Sequence, residues 1–253
     1  MTPGRRRNLF LAAAAIFAGL FLWGFWGLPG FGHYPGPYGD VINHVVVPER
    51  HITDAITAVN LDFRGVDTIG EEFILFAAVI GVAVLLRALR TERARPPEDE
   101  AAGRVGAATS DAVRVVALAA VAPTALLGLY VVTHGQLTPG GGFQGGVILA
   151  TAVLLVYLAG EYVVLRRVSP LAAMEAAEAV GAGGFAVLGL VGVVAGGAFL
   201  QNTLPLGVTG SIDSGGMVSI INALVGLEVA AGFVIIISEF LEQALSLRRG
   251  GRA

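Results

Sequence analysis

The sequence predicts an all-α integral membrane protein. It should have six transmembrane helices, both termini on the cytoplasmic side, a glycine-rich broken corner between the third and fourth helices, and a short amphipathic helix before the second. Three observations carry this. Of 253 residues, 55% are hydrophobic and 14% charged, with a mean hydropathy of +0.75; a soluble domain carries about 25% charged residues. Six apolar runs each approach or exceed the roughly 20 residues that a helix needs to cross a bilayer. The arginines cluster at alternate ends of those runs. Of the sixteen, only Arg50 and Arg64 fall on the opposite side, a positive-inside pattern.

Arg5, Arg6 and Arg7 precede an apolar run over 9–28. A charged head before an apolar stretch is also the form of a secretory signal, but this run exceeds the usual apolar core of about 7–15 residues. Gly27-Leu28-Pro29-Gly30-Phe31 follows it, with no small-x-small cleavage site. The reading is an uncleaved first span, with Trp23 and Trp26 in the interfacial belt. Residues 29–48 read as a Gly/Pro/aromatic loop, with Phe31, Tyr34 and Tyr38, lying along the outer surface. The amphipathic helix follows, with Ile52, Ile56, Val59 and Phe63 on one face and Asp54 in its first turn, where the helix dipole favours an acid. Asp62-Phe63-Arg64-Gly65-Val66-Asp67-Thr68-Ile69-Gly70-Glu71-Glu72 leads into the second span, which runs to about residue 89.

Residues 91–110 are polar, with Pro96-Pro97 and Glu98-Asp99-Glu100, and read as a cytoplasmic linker between a domain over 1–90 and a four-helix domain over 111–253. The third span runs to about Thr133, with Pro123 as an expected kink, and the fourth covers about 143–165. The fifth, about 172–200, contains Gly192-x-x-x-Gly196, a spacing that permits close helix packing. A loop over 201–216 leads to the sixth, about 217–241.

The corner is His134-Gly135-Gln136-Leu137-Thr138-Pro139-Gly140-Gly141-Gly142-Phe143-Gln144-Gly145-Gly146. Each glycine costs a helix interior up to about 1 kcal/mol against alanine, and Pro139 lacks a donor, so the chain leaves the helical state here. Non-helical backbone at membrane depth must be enclosed by protein or line a water-filled cavity. Two readings follow: a tight helix–helix corner, or a broken helix beside an ion or proton path. Gly140-x-Gly142-x-x-Gly145 has the spacing of a dinucleotide fingerprint, but no strand precedes it and no βαβ unit surrounds it.

The composition excludes several chemistries. With no cysteine there is no thiolate ligation of iron–sulfur clusters or zinc, and no disulfide. With no lysine there is no Walker lysine and no Schiff base. His33, His44, His51 and His134 fall in or beside outer loops, a poor arrangement for a haem bridged between helix centres. No nucleophile–base pair or metal motif is readable, and neither a cofactor nor a nucleic-acid partner is expected.

Acids within spans cost about 2.5–3.5 kcal/mol on insertion scales and are functional candidates by default. Glu228 lies mid-span, where it either lines a path or makes a structural hydrogen bond, for instance to Asn222. Glu71 and Glu72 open the second span. Glu161, Glu239 and Glu242 lie near cytoplasmic ends, close to arginines, and read as interfacial; Glu175 and Glu178 read the same way. Asp62, Arg64 and Asp67 can pair within one turn. His134 is either a proton relay or a helix cap.

Two segments resemble known families. His134-Gly135, Pro139-Gly140-Gly141-Gly142-Phe143 with Gly145-Gly146, Asn202 before Leu204-Pro205-x-Gly207, Ser214-Gly215-Gly216, and Asn222-x-x-Val225-Gly226-Leu227-Glu228-Val229 resemble the B subunit (MnhB family) of Mrp-type multisubunit sodium/proton antiporters. Leu61-Asp62-Phe63-Arg64-Gly65-x-Asp67-Thr68-x-Gly70-Glu71 is similar to the E-type segment at the C-terminus of the large antiporter subunit, which is also a small subunit of membrane-bound hydrogenases. Together they cover about two-thirds of the chain and meet at the polar linker, as a fusion would. The resemblance implies an accessory membrane subunit of a complex coupling proton and monovalent-cation movement, sodium being the expected ion. It implies other membrane subunits as partners, the bilayer of a prokaryotic cell as location, and no catalysis of its own. Two alternatives are a membrane-arm subunit of a hydrogenase-like or complex I-like oxidoreductase, and a structural scaffold. By the E-type resemblance Glu71 is the acid expected on the cation path, with Glu72, Asp67, Glu228 and His134 as further candidates. Glu72 departs from the pattern, in which an apolar residue is usual.

Overall fold

The computed structural model describes residues 3–28, 30, 32, 36–91 and 109–250. Eight helices account for most of them: α1 (Pro3–Trp26), α2 (Pro37–Arg50), α3 (Ala55–Ala58), α4 (Gly65–Thr91), α5 (Asp111–Thr133), α6 (Gly142–Val168), α7 (Leu171–Val194) and α8 (Met217–Gly250). Among the described residues there is no strand. Six segments are long and apolar enough to span a bilayer: Arg7–Trp26, Gly65–Leu86, Asp111–Thr133, Gly142–Gly160, Leu171–Val194 and Met217–Glu242. The protein is a multi-pass membrane protein.

The chain divides into two compact units at residues 41 and 42. The first holds α1, whose described side chains are exposed. In the second, α8 is the hub: α4, α5, α6 and α7 all pack against it, and α5 also pairs with α6. Its core joins Phe185 of α7 to Met217, Ile221, Val225 and Val229 of α8, and to Ile52, Ala58 and Leu61.

The glycine corner brings α5, α6 and α8 close together. Gly140 and Gly141 have φ of 148° and 114°, backbone that L side chains rarely adopt, so the chain reverses here and α6 begins at Gly142. The next glycines then seat α6 between its neighbours. A Cβ on Gly145 would stand 2.8 Å from the Gly128 carbonyl oxygen of α5, and one on Gly146 2.9 Å from the Gly226 carbonyl oxygen of α8. The Gln136 carbonyl accepts from the Thr53 and Asp54 N–H groups, fastening the corner to the segment before α3.

Four expectations are corrected. Most of the supposed loop over 29–48 is helix: Pro37 occupies the first helical position, where its fixed φ fits and its missing donor costs nothing, and α2 continues to Arg50. The amphipathic helix is a single turn, α3, running into a π-helical turn at Val59–Phe63. The extra residue of a π turn rotates the face, so Ile56 is exposed while Thr57, Ala58 and Leu61 are buried. Asp54 is not in the first turn; it caps α3, its carboxylate accepting from Thr57 N–H at 3.0 Å. The fifth span ends at Val194, and Gly192-x-x-x-Gly196 is not a helix-packing face. Gly196 turns the chain at φ 88°, and the chain then folds back onto Gly192, where a Cβ would stand 2.8 Å from Gln201 N. Helix α5 carries Pro123 within it, where a kink is expected. Residues 92–108 of the expected linker, and His33, lie outside the described residues.

Candidate functional site: buried carboxyls beside a polar cavity

Helix α8 carries both ends of the site. Asn222 and Glu228 are six residues apart on it, a rise of about 9 Å. Asn222 is buried, and its Oδ1 accepts from Gly142 N–H at 3.0 Å. This caps α6, whose own Gly141 has no side chain to do so. Beside that cap opens a cavity of about 350 Å³, with polar walls from Thr57, Asn60, Thr68, Glu71, Gln144 and Asn222.

The neighbours Glu71 and Glu72 part company here. Successive residues of an α-helix point about 100° apart. Glu71 is exposed and faces the cavity. Glu72 turns into the helix bundle, is 1% exposed, and meets Glu228, itself fully buried, carboxyl to carboxyl within hydrogen-bonding reach. Among the described residues no side-chain or backbone donor serves any of these four carboxyl oxygens. Glu178 of α7 is buried within electrostatic reach of Glu228. The expectation of an interfacial acid fails for Glu178: its depth along α7 is shallow, but its side chain points inward. Glycine permits the approach. A Cβ on Gly181 would lie 2.6 Å from the Glu228 Cβ and 2.7 Å from the Leu224 carbonyl oxygen.

A second polar cluster fastens the loops at one end. Arg50 Nε meets Asp62 Oδ2 at 2.8 Å, and Arg50 also lies 5.6 Å from the Phe63 ring centroid. Asn202 Nδ2 donates to Asp62 Oδ1 at 3.4 Å and to the Gly215 carbonyl at 2.8 Å, while its Oδ1 accepts from Met217 N–H at 3.0 Å at the start of α8. Burial pushes the Asp62 carboxyl above the usual carboxylate range, against the opposing pull of Arg50 and the Asn202 hydrogen bond. Asp67 is exposed and pairs with Arg64, one of the pairings open within that turn. His51 ends α2 at φ 57° with Nδ1 2.7 Å from the Gly207 carbonyl, which ties the same loop down.

His134 follows the last turn of α5. It ends α5, its Nδ1 donates to the Tyr130 carbonyl at 3.0 Å, and its ring stacks on Tyr130 at 4.1 Å. Glu239 is buried rather than interfacial, and Glu242 accepts from Tyr162 Oη at 2.9 Å. The Glu161 side chain lies outside the described residues. Among those residues no three His, Cys, Asp or Glu side chains group as a metal site.

Fold and site together define a multi-pass membrane protein with ionisable groups buried among its spanning helices beside a polar cavity. A family model described as a domain related to the MnhB subunit of Na+/H+ antiporter matches residues 112–235. The uncharacterized protein MJ1307 of Methanocaldococcus jannaschii is 31% identical over 209 residues, covering 76% of this chain and 78% of that protein. A chain of the membrane-bound sulfane sulfur reductase, an archaeal respiratory membrane complex, superposes with a TM-score of 0.71 at 31% identity, over 94% of this chain and 98% of the other. A chain of the Mrp complex from Dietzia sp. DQ12-45-1b superposes with a TM-score of 0.67 at 26% identity, over 94% of this chain and 26% of that longer one. The chain belongs to the MnhB-related family.

Proposed function

We propose that this chain is an accessory membrane subunit of a Mrp-type multisubunit cation/proton antiporter and lines part of its ion path. The observation that carries the reading is where the family match falls. Residues 112–235 comprise most of α5–α8, the helices that form the glycine corner and bury Glu178 and Glu228. The N-terminal segment acts with them as an E-type module: α4 packs on α8 and supplies Glu71 to the cavity and Glu72 to Glu228. The likeness to the Mrp chain, over 94% of this one, extends beyond the matched residues and supports that reading. By the arginine pattern the cavity faces outward in a prokaryotic plasma membrane, and Glu71 is the first acid an incoming sodium ion meets. The partners are other membrane subunits, and the main proton-transfer machinery resides in them, since this chain has no lysine. The chain catalyses no covalent step itself.

The similarity to a chain of the sulfane sulfur reductase, over 98% of that chain, favours a second reading: the same subunit built into the membrane arm of a respiratory complex. Affinity purification from the native membrane in mild detergent separates the two. Co-purifying large, lysine-bearing membrane chains without redox centres support the antiporter. Iron–sulfur or other redox proteins in the same particle replace it with the respiratory reading, and a chain recovered alone overturns both.

A further inference from the structure

The carboxyl pair that Glu72 of α4 makes with Glu228 of α8 asks for something that no described residue around it supplies. An ionised carboxylate only accepts hydrogen bonds, and Glu72 and Glu228 turn their oxygens on each other. Both are buried within the chain itself, and among the described residues no donor reaches them. Two bare carboxylates in that position would combine mutual repulsion with the full cost of desolvation. The charged groups on the helices packed around the pair add more negative charge: Glu71 on α4, and Glu178 on α7 with Glu175 beside it. Helix α6 meets α8 there through Gly146 and Val229, without charge. Of the basic side chains described in the segments before α4, Arg50 is engaged with Asp62 and Arg64 with Asp67.

The packing holds this arrangement in place rather than relaxing it. Gly181 lets α7 close on α8 beside the Glu228 Cβ, and Gly146 lets α6 close on Val229. On the far side of Glu228, a Cβ on Gly232 would stand 3.1 Å from Val79 of α4 and 3.5 Å from Glu178 Oε1. Glu178 is a third side chain more than nine-tenths buried, aimed toward the pair from a different helix, and its Oε1 also lacks a partner. One and a half turns along α8, Asn222 Nδ2 is a buried donor without an acceptor in the wall of the polar cavity. Unserved polar atoms therefore run from the cavity past Glu72 and Glu228 to Glu178.

We propose that Glu72 and Glu228 form one exchange site, held either by a single proton shared between the two carboxyls or by a single monovalent cation, in mutually exclusive occupancy. In the protonated state one carboxyl donates an O–H···O⁻ hydrogen bond to the other, a charge-assisted bond of the strong kind. When the cation enters, it coordinates oxygens of both carboxylates and the shared proton leaves. The O–H bond breaks and its electron pair stays on the carboxylate. One positive charge replaces another, so the pair carries one net negative charge in both states. Two carboxylates without a third ligand suit a monovalent ion held in transit better than a resident divalent metal, in keeping with the absence of a metal-binding group among the described residues. Glu71, at the cavity, delivers the ion; the pair exchanges it; Glu178 receives the charge on the far side.

This deepens the antiporter reading and rests on it for the ion, but its test reads the exchange itself. The purified intact complex is placed on an infrared cell, and difference spectra are recorded on replacing choline chloride by sodium chloride. The wild type should lose a protonated-carboxyl stretch and release a proton into a dye-containing buffer. Glu72→Gln and Glu228→Gln should each abolish both signals, because the amide donates permanently to the remaining carboxylate and fixes the protonated-like state. Glu71→Gln should keep the carboxyl signal while slowing its onset. A sodium-insensitive carboxyl band in the wild type overturns the exchange site whatever the variants do. So does a full signal in the Glu72→Gln/Glu228→Gln double variant. Sodium-driven transport with no signal from the pair would sink the exchange site and leave the antiporter reading intact. A sodium-dependent signal in a complex that transports no cation would do the reverse.

Discussion

Gly181 and Gly183 lie two residues apart on α7 and differ in what they face. A Cβ on Gly181 would stand 2.6 Å from Glu228 Cβ, 2.7 Å from the Leu224 carbonyl oxygen and 2.8 Å from Glu228 N. Two of those three atoms are backbone, which yields only if α7 and α8 separate. A Cβ on Gly183 meets nothing within 4 Å. Replacing an interior helical glycine by alanine gains about 0.5–1 kcal/mol. At Gly183 that gain stands alone, and Gly183→Ala should raise the melting temperature by about 2–4 °C, the shift that about 1 kcal/mol produces in a chain of this size. At Gly181 the gain is opposed by about 1–3 kcal/mol of overpacking. The unyielding atoms put it toward the upper end, so Gly181→Ala should lower the melting temperature by up to about 4–8 °C, for a net loss of up to about 2 kcal/mol. The assay is helix loss by circular dichroism in one detergent at one scan rate, with wild type and both variants side by side. A Gly181→Ala protein that gains as much as Gly183→Ala would refute the close approach of α7 to α8, and with it the enclosed setting of Glu228.

Three further outcomes follow from the geometry. Asn222→Ala removes the cap on α6 and should cost about 0.5–2 kcal/mol; hydrogen exchange at the Gly142 amide should speed up while α7 amides are unchanged. Gly196→Ala has open space around it but sits at φ 88°, so the backbone alone should cost about 1–2 kcal/mol, measured as a lower melting temperature. For Asp62 the folded carboxyl is raised by burial, so its contribution to stability is fully present below the ordinary value of 3.8 and is lost as pH rises through the folded value. Asp62→Asn should therefore gain on the wild type as the pH rises above 3.8. A melting-temperature difference that is flat with pH, or that moves the other way, would contradict this.

The spans and the corner were legible because their signals are local. Apolar length predicts a crossing helix, and a glycine run with a proline predicts a break whatever the rest of the chain does. Hence α5 was placed end to end, and Glu228 was singled out as a charge that needs a reason. Rotation about a helix axis was not legible. Glu71 and Glu72 differ by one step in sequence, and only the position of α8 decides that Glu72 is the one turned inward. Glu178 sits near a helix end, where depth suggests a headgroup partner, and its face is set by Gly181 packing on Glu228. The π turn at Val59–Phe63 carries no sequence mark strong enough to anticipate, and it moved Ile56 off the buried face. Asn202 stood out as part of a motif, but its work, joining Asp62, Gly215 and the first amide of α8, spans 140 residues of sequence separation and appears only when the loops close. Gly192 and Gly196 have the spacing of a helix-packing pair, but the chain turns on one and folds back against the other.

The account turns on this chain being a working part of a cation/proton antiporter, and transport by the intact assembly tests that most directly. The complex, purified through a tag on this chain, is reconstituted into vesicles with a pH-sensitive dye inside, and a sodium gradient is imposed. The account predicts a sodium-driven pH change in the wild type that disappears when the complex carries Glu72→Gln or Glu228→Gln and is recovered in equal amount. A complex that moves no protons in response to sodium would contradict it, and one that moves them equally well with both acids replaced would contradict the exchange site at Glu72 and Glu228.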